Sequence, residues 1–306
     1  MRANERIAYY NGEYLPESRV LLPFRDRGFV YGDAVFDTTR TFAHRPFKVK
    51  EHVDRLYRSL RYIRLDPGLS PAEMRAVTET VLERNRHLLG PDEDYWVSQR
   101  ISRGVTRLDR EEPVQAGPTV IVECTPLPLR DRAGLYRDGI RVIVPANRRT
   151  PPEALTPRAK TTNYLNMLVA DQEVSAIDPG AWAVLLDMNG HLAEGHGSNI
   201  FLVQDGELLT PRSLYVLPGI SRQTVIELAA ELGISCREAD LDLYDAYNAD
   251  EAFLTSTSLC ICPVRSVNGM AIGGEAVFGP VTQRLVDAYA RFVGCDFVGQ
   301  YLKHLA

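Results

Sequence analysis

The sequence predicts a two-domain protein of mixed α+β or α/β architecture, and three observations carry that expectation. Short runs rich in β-branched and aromatic residues recur along the chain, punctuated by Asn-Gly and Asp-Gly pairs. Segments with apolar residues at helical spacing alternate with them. A proline-rich stretch, Thr125-Pro126-Leu127-Pro128-Leu129, favours a stiff, extended connection and is the best domain boundary. With 306 residues the chain can fill two domains, expected at 1–125 and 134–306 with a linker at 126–133.

The elements follow in order. Ile7 to Tyr10 and Glu13 to Leu15 flank Asn11-Gly12, a strong hairpin signal. Val30 to Phe42 reads as extended, and His44-Arg45-Pro46 interrupts it. The period then changes: Val53, Leu56, Tyr57, Leu60 and Ile63 recur as on one helix face, and Asp66-Pro67-Gly68 stops the run. Ser70-Pro71-Ala72-Glu73 opens the next helix with an N-cap, a proline at N1 and an acid at N3. Strands are expected at Tyr95 to Ser102 and Thr119 to Glu123.

Beyond the boundary, Ile140 to Val144 reads as a strand, Arg148 to Pro157 as a proline-bearing loop and Thr161 to about Val174 as a helix. Strands at Ala181 to Leu186, Ile200 to Val203 and Glu207 to Leu209 are linked by Asn189-Gly190 and Asp205-Gly206 turns. Ser221 to Leu232 is a helix with Val225, Leu228, Ala229 and Leu232 on one face. Ala252 to Leu254 and Val264 to Val267 are strands, and Phe278 to Val293 is a terminal helix. A doubly wound dinucleotide fold lacks support, because no strand-GxGxxG-helix unit occurs.

A net charge of −5 argues against a nucleic-acid binder, which needs a basic footprint. The five cysteines form no CxxC pair and give no zinc spacing, so no metal is expected and a reducing compartment fits. No signal peptide or membrane-length run is read, and a cytoplasmic protein is the expectation.

Lys160, in Pro157-Arg158-Ala159-Lys160-Thr161-Thr162-Asn163-Tyr164, stands before a candidate helix with an apolar stretch on its C-terminal side. Burial disfavours the charged amine, which suits a Schiff-base nucleophile; a solvated surface lysine is the alternative. Tyr164 shares that helix face in this reading, or is an amphipathic boundary residue. Glu194 sits in Ala193-Glu194-Gly195-His196-Gly197-Ser198-Asn199, where it faces a ring nitrogen or is simply solvated in a turn. Leu217-Pro218-Gly219-Ile220-Ser221 runs into a helix whose first N–H groups can hold a phosphate; an ordinary helix start is the alternative. Leu254-Thr255-Ser256-Thr257-Ser258 offers further donors, and Arg55 reaches inward if an anion awaits it.

In that order, these residues resemble the class IV aminotransferases, the pyridoxal-phosphate enzymes of fold type IV, over roughly residues 6 to 293. The resemblance implies a pyridoxal 5'-phosphate enzyme of two domains with the active site between them, acting as a homodimer or higher oligomer on a small amino donor and a 2-oxo acid. It implies Lys160 as the Schiff-base lysine, Tyr164 on the cofactor's phenolic oxygen and Glu194 at the pyridine nitrogen. By the same resemblance Leu217 packs on the ring, and Arg55, Ile220, Ser221 and Thr257 bind the phosphate.

The substrate pocket departs from every subgroup. The stretch from Asp26 resembles D-amino-acid transaminases at its start, but Phe36 and Asp37 stand where those have tyrosine and glutamate. In Arg103-Gly104-Val105-Thr106-Arg107-Leu108-Asp109, Arg107 persists while Asp109 replaces a histidine. Thr38 replaces a glycine of branched-chain enzymes, and Tyr95-Trp96-Val97 departs from their YxR strand, although Arg40 keeps their basic position. Thr38 and the Arg148-Arg149-Thr150-Pro151 approach resemble R-selective amine transaminases. The expected pocket comprises Tyr31, Phe36, Thr38, Arg40, Tyr95, Arg107 and Ser258, with Arg40 and Arg107 as carboxylate clamps. A D-amino-acid preference with R-amine side activity leads. The alternatives are branched-chain L-amino acids, R-amines, an aminodeoxychorismate-lyase-like reaction, and a non-catalytic binder on the same fold.

Overall fold

The structure is a computed structural model that describes residues 5–105 and 116–305. Its chain divides into two compact units, Met1–Leu127 with Ala159–Asn163, and Pro128–Arg158 with Tyr164–Ala306.

The first unit is a six-stranded sheet covered by two helices. β1 (Ile7–Tyr10) and β2 (Glu13–Pro16) form the expected hairpin, with Asn11 and Gly12 at φ of 46° and 99°. Helix α1 (Arg27–Tyr31) takes the start of the segment expected to be extended. Asp26 caps it by accepting the Gly28 N–H, and Gly32 ends it at φ 67°. Then follow β3 (Ala34–Phe42), β4 (Arg45–Pro46), α2 (Val49–Tyr62), α3 (Pro71–Asn85), β5 (Tyr95–Val105) and β6 (Gly117–Pro126). The sheet order is β2-β1-β6-β5-β3-β4. Ser70 and Glu73 make the expected capping box of α3. Val53, Leu56 and Leu60 of α2 pack with Met74, Val81 and Leu82 of α3 against Val35, Val97, Ile101 and Val122 of the sheet. Emptying one such site, as in Leu56→Ala, costs about 2–5 kcal/mol.

The second unit begins inside the stretch expected to be a linker. Helix α4 (Leu129–Asp138) starts directly after Pro128 and buries Leu129, Ala133 and Tyr136 along one face, so 126–133 is largely a helix start. Next come β7 (Ile140–Ile143), α5 (Leu165–Ile177), β8 (Trp182–Leu186), β9 (Leu192–Gly195), β10 (Ser198–Gln204) and β11 (Glu207–Pro211). They are followed by α6 (Ile220–Glu231), β12 (Cys236–Ala239), α7 (Leu243–Tyr247), β13 (Glu251–Thr255), β14 (Cys262–Val267), β15 (Met270–Ala271), α8 (Pro280–Val293) and α9 (Phe297–Leu302). The sheet runs β12-β11-β10-β13-β14-β7-β8-β9, and β9 pairs again with β10. That second pairing closes the strands from β10 to β9 into a ring, which removes two edges that water or another chain would otherwise have to satisfy.

Lys160 does not open a helix. Helix α5 begins only at Leu165, with Tyr164 at its N-cap, so Lys160 and Tyr164 do not share a helix face. Tertiary bonds override the local helix signal. Thr161 bridges Val35, Phe36 donates its N–H to the Lys160 carbonyl at 3.0 Å, and the Thr162 N–H goes to the Ala34 carbonyl at 3.0 Å. Expected within residues 134–306, Lys160 therefore lies beside β3 in the first unit. No helix among the described residues is long and apolar enough to cross a membrane.

Candidate active site

In the first unit the candidate residues gather around β3 and α2. Lys160 is only 9% exposed. Its backbone N–H donates to the Ser59 hydroxyl at 3.0 Å, and that hydroxyl donates to the Arg55 carbonyl at 3.1 Å. Its Nζ lies 4.3 Å from the centre of the Phe36 ring. The surface-lysine alternative thus fails on burial.

Arg55 is buried and held by Asp37. Its Nε donates to Asp37 Oδ2 at 2.8 Å and an Nη donates to Oδ1 at 2.8 Å, a two-point match of guanidinium to carboxylate. His52 Nδ1 meets Asp37 Oδ1 at 2.7 Å. Burial raises the Asp37 carboxyl, but the Arg55 charge and the His52 and Arg55 hydrogen bonds outweigh it, leaving the carboxyl well below its ordinary value. Burial lowers the His52 imidazole against the pull of Asp37, so the ring is a neutral donor. His52 and Ser59 were not singled out in the sequence, and Asp37 was noted only as a departure from a family pattern. The available signal was the stripe 52, 55, 59 on a helix beside a strand whose odd positions face it.

In the second unit Glu194 lies on β9, buried, and not in a solvated turn. Arg149 Nε donates to Oε1 at 3.0 Å and the Leu217 N–H donates to Oε2 at 2.8 Å. Asn199 anchors the approach to the helix, its Nδ2 donating to the Leu217 carbonyl at 3.0 Å. Gly219 is the N-cap of α6 and no side chain caps this helix. A Cβ on Gly219 would stand 2.2 Å from Asn199 Oδ1, so any other residue here would displace the Asn199 side chain. The Ser221 hydroxyl donates to the Ser256 carbonyl at 2.9 Å, tying the helix start to the turn that carries half-buried Thr257 and buried Ser258. Tyr164 is half-buried, its ring centre 5.3 Å from that of His196.

The expected substrate residues scatter more widely. Phe36 and Thr38 lie on the β3 face opposite Asp37, and the Thr38 and Ser98 hydroxyls are 2.9 Å apart. Tyr95 is a core residue whose hydroxyl donates to the Asn85 carbonyl at 3.2 Å. Burial pushes that phenol up to about 12. Arg40 is 0% exposed, with Nε donating to the Thr41 carbonyl at 2.8 Å and its guanidinium 4.0 Å from the Phe42 ring centre. A guanidinium so engaged has a structural role in place. Tyr31 is 67% exposed on α1, stacked under Arg27. Ser258 is hydrogen-bonded by Arg132. Arg107 and Asp109 lie outside the described residues.

Residues 34–267 match the family described as Amino-transferase class IV. A Methanocaldococcus jannaschii protein, provisionally named a branched-chain-amino-acid aminotransferase, is 36% identical over 92% of this chain and 94% of its own. The Escherichia coli K12 branched-chain-amino-acid aminotransferase is 32% identical over 92% and 91%. The crystal structure of the Escherichia coli enzyme superposes with a TM-score of 0.84 at 31% identity, covering 95% of this chain and 94% of that one. The T.th. branched-chain amino acid aminotransferase, solved with N-(5'-phosphopyridoxyl)-L-glutamate, gives 0.82 at 28% identity and 94% of each chain. With a family match over most of its length and relatives above 30% identity along nine-tenths of it, this protein belongs to the class IV aminotransferases.

Proposed function

We propose that the chain is a pyridoxal-phosphate-dependent branched-chain amino-acid aminotransferase. The observation that carries the substrate class is that relatives matching over nine-tenths of the chain bear the branched-chain name. This reading replaces the D-amino-acid preference expected from the sequence, which rested on the stretch after Asp26 and on Arg107. Two features support the cofactor. The uncapped start of α6, open to close approach at Gly219, suits a phosphate, and Glu194 suits a protonated ring nitrogen.

When bound, the cofactor supplies a sink for the electrons freed at the substrate Cα. Lys160 Nζ would hold the cofactor and would move the proton at the substrate Cα. Glu194, held by Arg149 and the Leu217 N–H, would face the ring nitrogen and hold a proton there. For the phosphate, Arg55 would supply a cation from the first unit, and the Ile220 and Ser221 N–H groups and Thr257 would supply donors from the second. Asp37 fixes the direction of Arg55, so the grip costs little ordering. Leu217 covers the ring and Tyr164 donates to its phenolic oxygen in this assignment.

A homodimer belongs to the same proposal. Leu21, Leu22, Phe24, Phe29, Val30 and Tyr31 are exposed within eleven residues of the first unit, an apolar run that a partner surface would cover. Sedimentation at micromolar concentration is expected to give a dimer, and Phe24→Asp with Phe29→Asp a monomer.

The decisive measurement is a panel of half-reactions followed by the decay of the bound cofactor's absorbance. L-leucine is expected to discharge it rapidly, with D-alanine and R-1-phenylethylamine far slower. Faster decay with either of those two would overturn the branched-chain assignment.

A further inference from the structure

We propose that Arg100 receives the carboxylate of the substrate, so that the enzyme selects α-amino acids over simple amines. The inference rests on the aminotransferase reading above and deepens it. Alternation along β3 puts Asp37 and Thr39 on the face covered by α2, and Phe36 and Thr38 on the other. Register then pairs Phe36 with Arg100 and Thr38 with Ser98 on β5. Directly paired residues of an antiparallel sheet project from the same face. Arg100 therefore stands on the open face, its guanidinium carbon 5.7 Å from the centre of the Phe36 ring.

Lys160 reaches that same ring from the other side of β3, with Nζ 4.3 Å from its centre. One half-buried aromatic ring thus has the reactive amine on one flank and a guanidinium on the other. Both cations therefore border the ring that a small amino acid lying across it would touch. A carboxylate at Arg100 and a Cα near Lys160 is the arrangement that one sheet face offers.

Competing arginines of the first unit are committed elsewhere. Arg40 is sealed in the sheet over Phe42, 3.6 Å from Asp94. Arg103 gives its Nε and an Nη to Asp33, at 2.8 and 3.2 Å, and further bonds to the Ile63 and Arg64 carbonyls. Arg100 is half-exposed and, among the described residues, its guanidinium makes a single long bond, 3.3 Å, to Glu123 Oε1. The rest of its donor fork suits a carboxylate. Glu123 steadies the fork while competing for it, which limits affinity. The Thr38–Ser98 hydroxyl pair forms the adjoining wall.

The test uses the cofactor-loaded enzyme and 4-methylvalerate, which has the leucine skeleton and carboxylate but no amine, read by the shift it causes in the cofactor's absorbance. Arg100→Gln is expected to weaken its binding about 30-fold or more, and Arg100→Lys less. Glu123→Gln is expected to tighten it about threefold, because a competing charge is gone. In turnover, the loss in kcat/KM for Arg100→Gln falls mainly on KM and is at least about tenfold larger for L-leucine than for 3-methylbutylamine, which lacks the carboxylate. A purely structural role would lower both substrates alike, and that result overturns the proposal. So does 4-methylvalerate binding within threefold of wild type in Arg100→Gln. A wild type that turns over D-alanine and not L-leucine overturns the branched-chain reading alone. The same variants compared on D-alanine and ethylamine then still decide Arg100.

Discussion

Each unit of the molecule holds a buried carboxylate paired with an arginine, and the two pairs have opposite proposed roles. In the first unit Asp37 serves Arg55: both carboxylate oxygens are spent on Arg55 and His52, with Asp37 wholly buried. In the second unit Arg149 serves Glu194, with one donor on one oxygen and the Leu217 N–H on the other. The proposed working group is the cation in one case and the anion in the other. The difference teaches that a cation aimed at a phosphate needs an internal counter-charge to survive burial, whereas a carboxylate aimed at a ring nitrogen needs support that keeps it ionised.

The largest expected effect removes what the first pair is built around. Lys160→Ala should abolish the near-visible band of the loaded enzyme and lower turnover by at least about 10⁴-fold. Spectra with added cofactor check this, and a band unchanged in the variant refutes the assignment of Lys160. Next, Asp37→Ala strands Arg55 and His52 and should cost about 3–5 kcal/mol in urea unfolding. The sign with pH follows from the lowered carboxyl. Its stabilisation is present above the unfolded value near pH 4 and is lost as pH falls through the lower folded value. The wild type should therefore lose stability as pH drops below about 4, and Asp37→Asn should flatten that loss.

Arg149→Met tests the second pair and should act on rate more than on stability. Loss of the cation leaves Glu194 Oε1 without its Arg149 donor, so kcat should fall about 10- to 100-fold. A kcat within threefold of wild type would make the Arg149–Glu194 contact merely structural and end the symmetry of roles. Smallest is Ser59→Ala, which leaves the buried Lys160 N–H without its acceptor at a cost of about 1–2 kcal/mol. Its kcat should fall with cofactor affinity little changed, a split visible by titration.

Much of the local structure was legible. The Asn11-Gly12 hairpin, the Ser70–Glu73 capping box and the helix after Gly219 depend on neighbours within a few residues, so residue type alone announces them. Arg55, Lys160 and Glu194 were legible as an ordered set, and all three are buried. Arg40 and Tyr95 were weighed by type and position for a pocket, yet their side chains are engaged in the sheet and core of the first unit. Asp37 looked like a departure from a family pattern, and its partners lie fifteen and eighteen residues away on α2.

The sequence by itself determined the mixed class, most elements and the chemical types at the site, because periodicity, caps and turns are short-range properties. Tertiary structure alone decided that Lys160 is extended beside β3, although the local pattern favours a helix. Two backbone bonds to a strand some 125 residues earlier outweigh one helical turn's weak propensity. It also decided that β9 closes a ring and that Arg100, not Arg40, stands beside the Phe36 ring. Those facts depend on register between distant strands, where a shift of one residue sends every side chain to the other face.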